Sequence, residues 1–235
     1  MNSQAAAPNL RIERQLLRSG AVVACGLDEV GRGSLSGPVS AGMVLVDAST
    51  GRPPHGLKDS KLLTPAAREY LVPSIITWAR GWAVGHASPA EIDAMGLIAA
   101  LRLAGHRALA ELRVVPDVVL LDGNHDWLSR PQQQDLFAGE SASDSSQDGL
   151  PLLDIPPVRT LVKADLTCAS VAAASVLAKV ARDAIMVGLD GEFPAYAWRE
   201  NKGYASARHV EALRAIGPSV HHRRSWNLPL MQPEA

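Results

Sequence analysis

Residues 25–38 read CGLDEVGRGSLSGP: an apolar run delivers two adjacent carboxylates, Asp28 and Glu29, to a point where the chain at once turns glycine-rich. The run belongs to AVVACGLDE (21–29), which reads as a buried strand, and VSAGMVLVDA (39–48) reads as a second. The Gly-rich link between them predicts an antiparallel hairpin with a wide turn. A carboxylate pair at such a strand end is either solvated or one wall of a metal site, and the rest of the chain has to decide.

With 235 residues, 47% of them hydrophobic and 20% charged, the chain can bury a sizeable core and has the balance of an ordinary globular protein. A net charge of -1 excludes a global basic field that would draw in nucleic acid. The local distribution is less neutral. Arg199 to Arg224 holds six Lys/Arg (Arg199, Lys202, Arg208, Arg214, Arg223, Arg224) against Glu200 and Glu211, a local charge of +4. If a polyanion binds, it is expected on the C-terminal part. Cys25 and Cys168 lie in small-residue apolar runs without metal or redox spacing, which reads as two buried, reduced thiols. The first twenty or so residues lack the apolar core of a signal peptide, and no run approaches the length of a membrane span, so a cytoplasmic protein is expected.

Further along, Thr64 and Pro65 open a helix as N-cap and first residue, with Pro73 expected to kink or interrupt it. GWAVGHAS (81–88) alternates like a strand, Ser88 and Glu91 stand at capping-box spacing, and 97–113 is an amphipathic helix. PDVVLLDG (116–123) and VRTLVKAD (158–165) read as strands, each ending in an acid. Residues 166–189 read as one helix with Val171, Ala174, Ala178, Ala181 and Ile185 on one stripe, and 206–217 as a last helix stopped by Gly217. Between the strands at 116–123 and 158–165, Asn124 to Pro157 turns rich in Ser, Gln, Asp and Gly, with one Arg against six acids from Asp126 onward, and reads as a long mobile loop.

Asp28, Glu29, Asp122 and Asp165 share a context, each ending an apolar run. If three of those strands are neighbours, the carboxylates converge at one sheet edge. Four such acids repel one another unless cations sit between them, and hard oxygen donors suit Mg²⁺ or Mn²⁺. A pair of these ions performs in-line phosphoryl displacement. Singly, each acid reads better as a solvated strand end or, for Asp165, a helix cap.

The motifs GLDEVGRGSLSGPV, LKDSKLLTPAARE, LLDGN, KAD…SVAAASVLAKVARD, NKGY and HHRRSW, in this order over residues 20–227, resemble bacterial ribonuclease HII, the type 2 ribonuclease H family. The resemblance implies an α/β, ribonuclease-H-like fold: a mixed five-stranded sheet flanked by helices, with a C-terminal helical region. It divides the chain into an N-terminal extension (1–20), a catalytic domain (21–227) and a tail (228–235). Within the domain lie the helical substrate-binding region (about 190–227) and the loop insertion (about 125–157). It implies a metal-dependent endonuclease that cuts the RNA strand of RNA/DNA hybrids and nicks duplex DNA 5′ to embedded ribonucleotides. The ends are 3′-hydroxyl and 5′-phosphate, and the roles are ribonucleotide removal and RNA primer degradation.

Carried over, Asp28, Glu29, Asp122 and Asp165 would be the catalytic acids holding two Mg²⁺ or Mn²⁺ ions. Gly31, Arg32 and Gly33 would contact the ribose 2′-hydroxyl through backbone, which glycine permits. Tyr204 would pack on the nucleotide 3′ to the cut. Lys58, Asp59, Ser60, Lys61 and Lys163 would lie near the substrate, and Arg223 and Arg224 would serve phosphate contact or structural hydrogen bonding. His221 and His222, being adjacent, point apart and do not make a metal site. The expected partners are RNA/DNA hybrid and ribonucleotide-containing duplex DNA, with no membrane, no obligate protein partner and a monomeric state. Four positions depart from the family pattern. Ala164 stands in place of the usual Gly and tightens that turn, Ala205-Ser206 in place of Pro-Thr, and Trp226 in place of Phe. A junction resolvase or exonuclease would share the acids but not GRG and KGY, a binding module would not need four mutually repelling acids, and the sister type HIII carries an added N-terminal domain.

Overall fold

The computed structural model describes residues 7–130 and 154–230. Its centre is a five-stranded sheet of β1 (Val23–Val30), β2 (Val39–Asp47), β3 (Gly81–Ala87), β4 (Val118–Asp122) and β5 (Val158–Leu161) in the order β3-β2-β1-β4-β5. β1 pairs antiparallel with β2, as the Gly-rich link predicts, and parallel with β4, which is parallel to β5. The sheet is therefore mixed. Strand alternation divides the core into two. Cys25, Leu27, Ala41, Met43, Leu45, Val119 and Leu121 face α4 (Leu97–Glu111), while Ala24, Val44, Val46, Val118 and Leu120 face α6 (Ala169–Asp190).

α6 lies close to the sheet because both surfaces are trimmed. Its first turns carry Ala172, Ala173 and Ala174, and Gly42 opposite them has no room for a Cβ, which would strike the Ala174 carbonyl oxygen. Beyond Ala178 the buried stripe passes to Arg182 and Met186, not to Ala181 and Ile185 as the apolar spacing suggested. An arginine entered the buried side because its head finds carbonyl partners there, described below.

Local signals read from the sequence set several helix ends. Thr64 caps α2 (Pro65–Trp78) by accepting from the Ala67 N–H at 3.2 Å, and Ser88 and Glu91 form a full capping box on α3 (Pro89–Met95), each cap worth about 1 kcal/mol. α2 runs uninterrupted through Pro73. The predicted helix 166–189 is in fact two, α5 (Ala164–Thr167) and α6, because Cys168 is extended and bridges to Asn9. Residues 163–165, expected to continue a strand, turn instead: Lys163 adopts a left-handed conformation and Asp165 sits in the first turn of α5. Both thiols are buried, and burial pushes Cys25 and Cys168 up to about 12.

The segment preceding the first strand is built into the core. α1 (Arg11–Arg18) contributes Leu16 and a fully buried Glu13, whose Oε1 accepts from the Ser170 N–H (2.9 Å) and hydroxyl (2.8 Å). That caps the N-terminal end of α6 from another helix and sets a carboxylate against its positive dipole end. The stretch expected to be mobile from about residue 125 is anchored at its start. Trp127 and Leu128 are buried against α4, where Arg102 and His106 hold the Ser129 and Leu128 carbonyls. The remainder of that expectation, residues 131–153, lies outside the described residues. Beyond α6, α7 (Trp198–Asn201) and α8 (Ala207–Ile216) form the C-terminal helical region, with Ser206 capping α8 and Gly217 ending it.

Candidate active site

The register that pairs Leu27 with Leu121 brings the next residues, Asp28 and Asp122, to neighbouring strand ends. Alternation turns both toward α6. Glu29 has the opposite parity and leaves the sheet toward Arg32, with which it pairs at 3.0 Å. Asp122 Oδ1 accepts from the Ala164 N–H at 2.7 Å, which ties the end of β4 to the helix carrying Asp165. Ala164 needs no glycine-only conformation, because the left-handed residue of this turn is Lys163, at φ 61°. Its substitution for Gly is thereby accommodated.

Electrostatics mark these acids as a group. Asp28 is 3% exposed, and burial, then the charge of Glu29, raises its carboxyl to about 8, with Asp122 adding to the rise and the Ser175 hydroxyl opposing it. Burial, then Asp122 and Asp59, also raises Asp165, against the pull of Lys61 at 3.5 Å. Burial alone would lower Lys61, but Asp59, Asp28 and Asp165 outweigh it and hold the ammonium above its ordinary value. Among the described residues no three such side chains stand arranged as a finished metal cage. The donor set nevertheless fits a hard cation. All four are carboxylates, Glu29 Oε2 is buried without a hydrogen-bond partner, and burial, then the charges of Glu29 and Asp122, holds Asp28 away from ionisation, a cost that a cation among them would relieve.

Beside the acids, residues 31–38 form a loop held from within by two arginines. Arg223, fully buried, donates to the carbonyls of Gly31 (2.6 Å), Arg32 (2.9 Å), Gly37 (3.2 Å) and Pro38 (3.3 Å). Arg182 from α6, also fully buried, donates to Pro38 O (2.8 Å), Ser36 O (3.1 Å), Ser34 Oγ (2.6 Å) and Lys202 O (2.9 Å). Desolvation pulls both guanidinium groups below their ordinary range, Arg223 to about 9, so their carbonyl partners are what makes the burial tolerable. Gly31 sits at φ 91°, and a Cβ there would collide with Arg182 and the Pro38 carbonyl. Gly33 faces open space, and the Arg32 side chain is exposed.

The clamp corrects one expectation. Arg223 is no phosphate ligand: its donors are spent on backbone, the structural alternative that the motif allowed. Arg224 is exposed, and its N–H is pinned by Asp93 at 2.9 Å. Of the LKDSK loop, Lys58 and Lys61 are exposed, while Asp59 and Ser60 are buried, Asp59 accepting from the Lys61 N–H and Ser60 Oγ meeting Ser175 Oγ at 2.7 Å. Lys163 is exposed at the mouth of α5. Tyr204, 37% exposed, has its ring beneath Lys179 Nζ (5.6 Å) and Arg182 Cζ (5.4 Å). Arg182, Lys179, Asp93 and Glu13 were not singled out from the sequence. Only Arg182 left a readable signal there, as a charge on the buried side of an otherwise apolar helix.

The chain is similar to known proteins over most of its length. A family model described as Ribonuclease HII matches residues 25–228. A Ribonuclease HII of Streptomyces coelicolor is 46% identical over 222 residues, covering 93% of this chain and 83% of that protein. The crystal structure of the ribonuclease H2 from Pyrococcus horikoshii OT3 superposes with a TM-score of 0.63 at 26% identity, covering 88% of this chain and 95% of that one. Bst-RNase HIII in complex with Mn²⁺ shares the fold, with a TM-score of 0.60 at 22% identity over 97% of this chain and 74% of that one.

Proposed function

The chain belongs to the ribonuclease HII family, enzymes that hydrolyse RNA in RNA/DNA hybrids, and on that premise we propose that it also nicks duplex DNA on the 5′ side of a single embedded ribonucleotide. The products carry 3′-hydroxyl and 5′-phosphate ends. The observation that carries this reading is the juxtaposition at one sheet edge of buried acids with a backbone loop that two interior arginines hold rigid. Asp28, Glu29, Asp122 and Asp165 would hold two divalent ions, Mg²⁺ or Mn²⁺, which supply an activated water and charge neutralisation at the phosphate.

Each part of the chain has its own task. Asp28 and Asp122, side by side at the ends of β1 and β4, set one wall of the site, and Asp165 from α5 sets another. Lys61, at 3.5 Å from Asp165, balances that wall's charge and stands where a phosphate would approach. Gly31, Arg32 and Gly33 meet the 2′-hydroxyl through main-chain groups. The carbonyls of Gly31 and Arg32 face inward to Arg223, which leaves the outward side of the loop to the sugar. Tyr204 packs on the nucleotide beyond the cut, and Lys58, Lys163 and Arg224 lie on the exposed rim for phosphates. In the cell such an enzyme would remove ribonucleotides from DNA and degrade RNA primers.

A site built around one hydroxyl rejects the analogue that lacks it, because its own polar groups are then left unpaired. The test is a 5′-labelled duplex with a single ribonucleotide, incubated with Mg²⁺ or Mn²⁺ beside an all-DNA control and an Asp122→Asn variant. Incision 5′ to the ribonucleotide, no cutting of plain DNA and a loss of orders of magnitude in the variant are expected. Incision on the 3′ side, or comparable cutting of plain DNA, refutes the reading.

A further inference from the structure

Beneath Tyr204 lies a buried relay of hydrogen bonds that none of the proposed chemistry uses. His209 on α8 is fully buried, with Nδ1 2.9 Å from the Tyr204 carbonyl oxygen and Nε2 3.0 Å from Nε2 of the equally buried His222. Trp198 Nε1 stands 3.3 Å from the same His209 Nε2. The Ser219 N–H points at His222 Nδ1 from 3.0 Å.

The donors that cannot be reversed fix every proton in this chain. A backbone N–H only donates, so His222 Nδ1 is an acceptor and its neutral ring carries the proton on Nε2. An indole N–H only donates, so His209 Nε2 is an acceptor too, its lone pair shared between Trp198 and His222. Neutral His209 is then left with its proton on Nδ1, aimed at a carbonyl that can only accept. That carbonyl also takes the Ser206 N–H at 2.8 Å, and the Tyr204 N–H is held by Asn201 O at 3.0 Å. The backbone of Tyr204 is thus held on both sides, while the ring lies against Lys179 and Arg182. The ring stack of Tyr196 on Trp198, with centroids 5.0 Å apart, packs the indole in place behind the relay.

We propose that His209 is a positioning residue that fixes Tyr204 for the substrate, acting as the Nδ1–H tautomer that Trp198 and His222 impose. This rests on the reading of Tyr204 as a substrate-facing residue. The polar atom of an asparagine falls near Nδ1 of the histidine it replaces, and that of a glutamine near Nε2. His209→Asn therefore keeps a donor for the Tyr204 carbonyl, whereas His209→Gln keeps the link to Trp198 and His222 and loses Tyr204.

The experiment measures KM and kcat on an RNA/DNA hybrid for His209→Asn, His209→Gln, Tyr204→Ala and the His209→Gln/Tyr204→Ala double variant, with melting temperatures as a check on folding. Fluorine-labelled tyrosine gives an independent signal, with three tyrosines in the chain and Tyr204 assigned through Tyr204→Phe. Expected are a KM raised roughly five-fold in His209→Gln, from one lost hydrogen bond, substantial recovery in His209→Asn, and no further effect of His209→Gln once Tyr204 is alanine. The Tyr204 resonance should shift or broaden in the Gln variant and stay near the parent position in the Asn variant. Effects that multiply in the double variant, equal damage by Asn and Gln, a Tyr204→Ala protein with parental KM, or an unmoved Tyr204 resonance each overturn the proposal. A parent protein inert on the hybrid refutes the proposed function instead, and the resonance then decides the positioning role alone.

Discussion

Replacing Asp28 by Asn should make the metal-free protein more stable while abolishing its turnover. In the unfolded chain this carboxyl releases its proton near the ordinary 3.8, whereas in the fold burial and Glu29 hold the proton until about 8. Between those values the native state binds the extra proton, so folding stability falls as pH rises through the window. At pH of about 7 the accumulated cost is about 4 kcal/mol, at roughly 1.4 kcal/mol per pH unit. Asparagine does not titrate and escapes this cost, but its amide needs an acceptor that the aspartate did not, which offsets about 1–2 kcal/mol. A net gain of about 2 kcal/mol near neutrality follows, shrinking toward zero or below near pH 5. Urea unfolding in chelator across this range measures it. Adding Mn²⁺ or Mg²⁺ should then stabilise the parent, by mass action on the folded state, and leave Asp28→Asn much less affected. A variant whose stability follows pH as steeply as the parent's, or that gains as much from the cation, would refute the argument that this buried acid waits for positive charge.

Three further outcomes follow from the loop and from the C-terminal helices. Gly31→Ala meets both a φ of 91° and a collision with Arg182, and should cost about 1–3 kcal/mol in thermal unfolding together with a loss of ribonucleotide-directed cleavage. Arg223→Lys keeps the charge but cannot span the carbonyls of Gly31, Arg32, Gly37 and Pro38 at once, so urea unfolding should reveal a loss of about 2–4 kcal/mol, and parental stability would show the fork to be dispensable. His222 is lowered from 6.5 to about 4 by burial, then by His209 and His221, so the unfolded chain takes up its proton first as pH falls. Stability should therefore drop by on the order of 3 kcal/mol between those two values, and a His222→Gln variant should show a shallower acid limb.

Much of this protein could be read from its residues in order. The strands at 23–30, 39–47, 81–87 and 118–122 follow from apolar runs or alternation, the ends of α2, α3 and α8 from Thr64, Ser88 and Gly217, and the ribonuclease-H-like sheet from the motif order. These signals are local: a cap, a period or a glycine acts within a few residues, so linear order carries it. The four acids were visible for the same reason, as charges that interrupt or end apolar runs. What lay beyond linear reading depends on partners distant in the chain. Arg223 could be either a phosphate contact or a structural donor until the fold brought Gly31 and Pro38 around it, some 190 residues away, because a guanidinium satisfies carbonyls and phosphates with the same donors. Glu13 stood unremarked in the N-terminal extension, and only packing set it at the N-terminal end of α6. Asp28 and Glu29 are adjacent in sequence, yet the pleat sends them to opposite faces of the sheet, and the register with β4 selects Asp122 as the neighbour of Asp28. Identity and spacing determined which chemistry the chain carries, and the tertiary structure decided which charges meet, because burial and proximity, the two quantities that set the energy of a charge, exist only once the chain is folded.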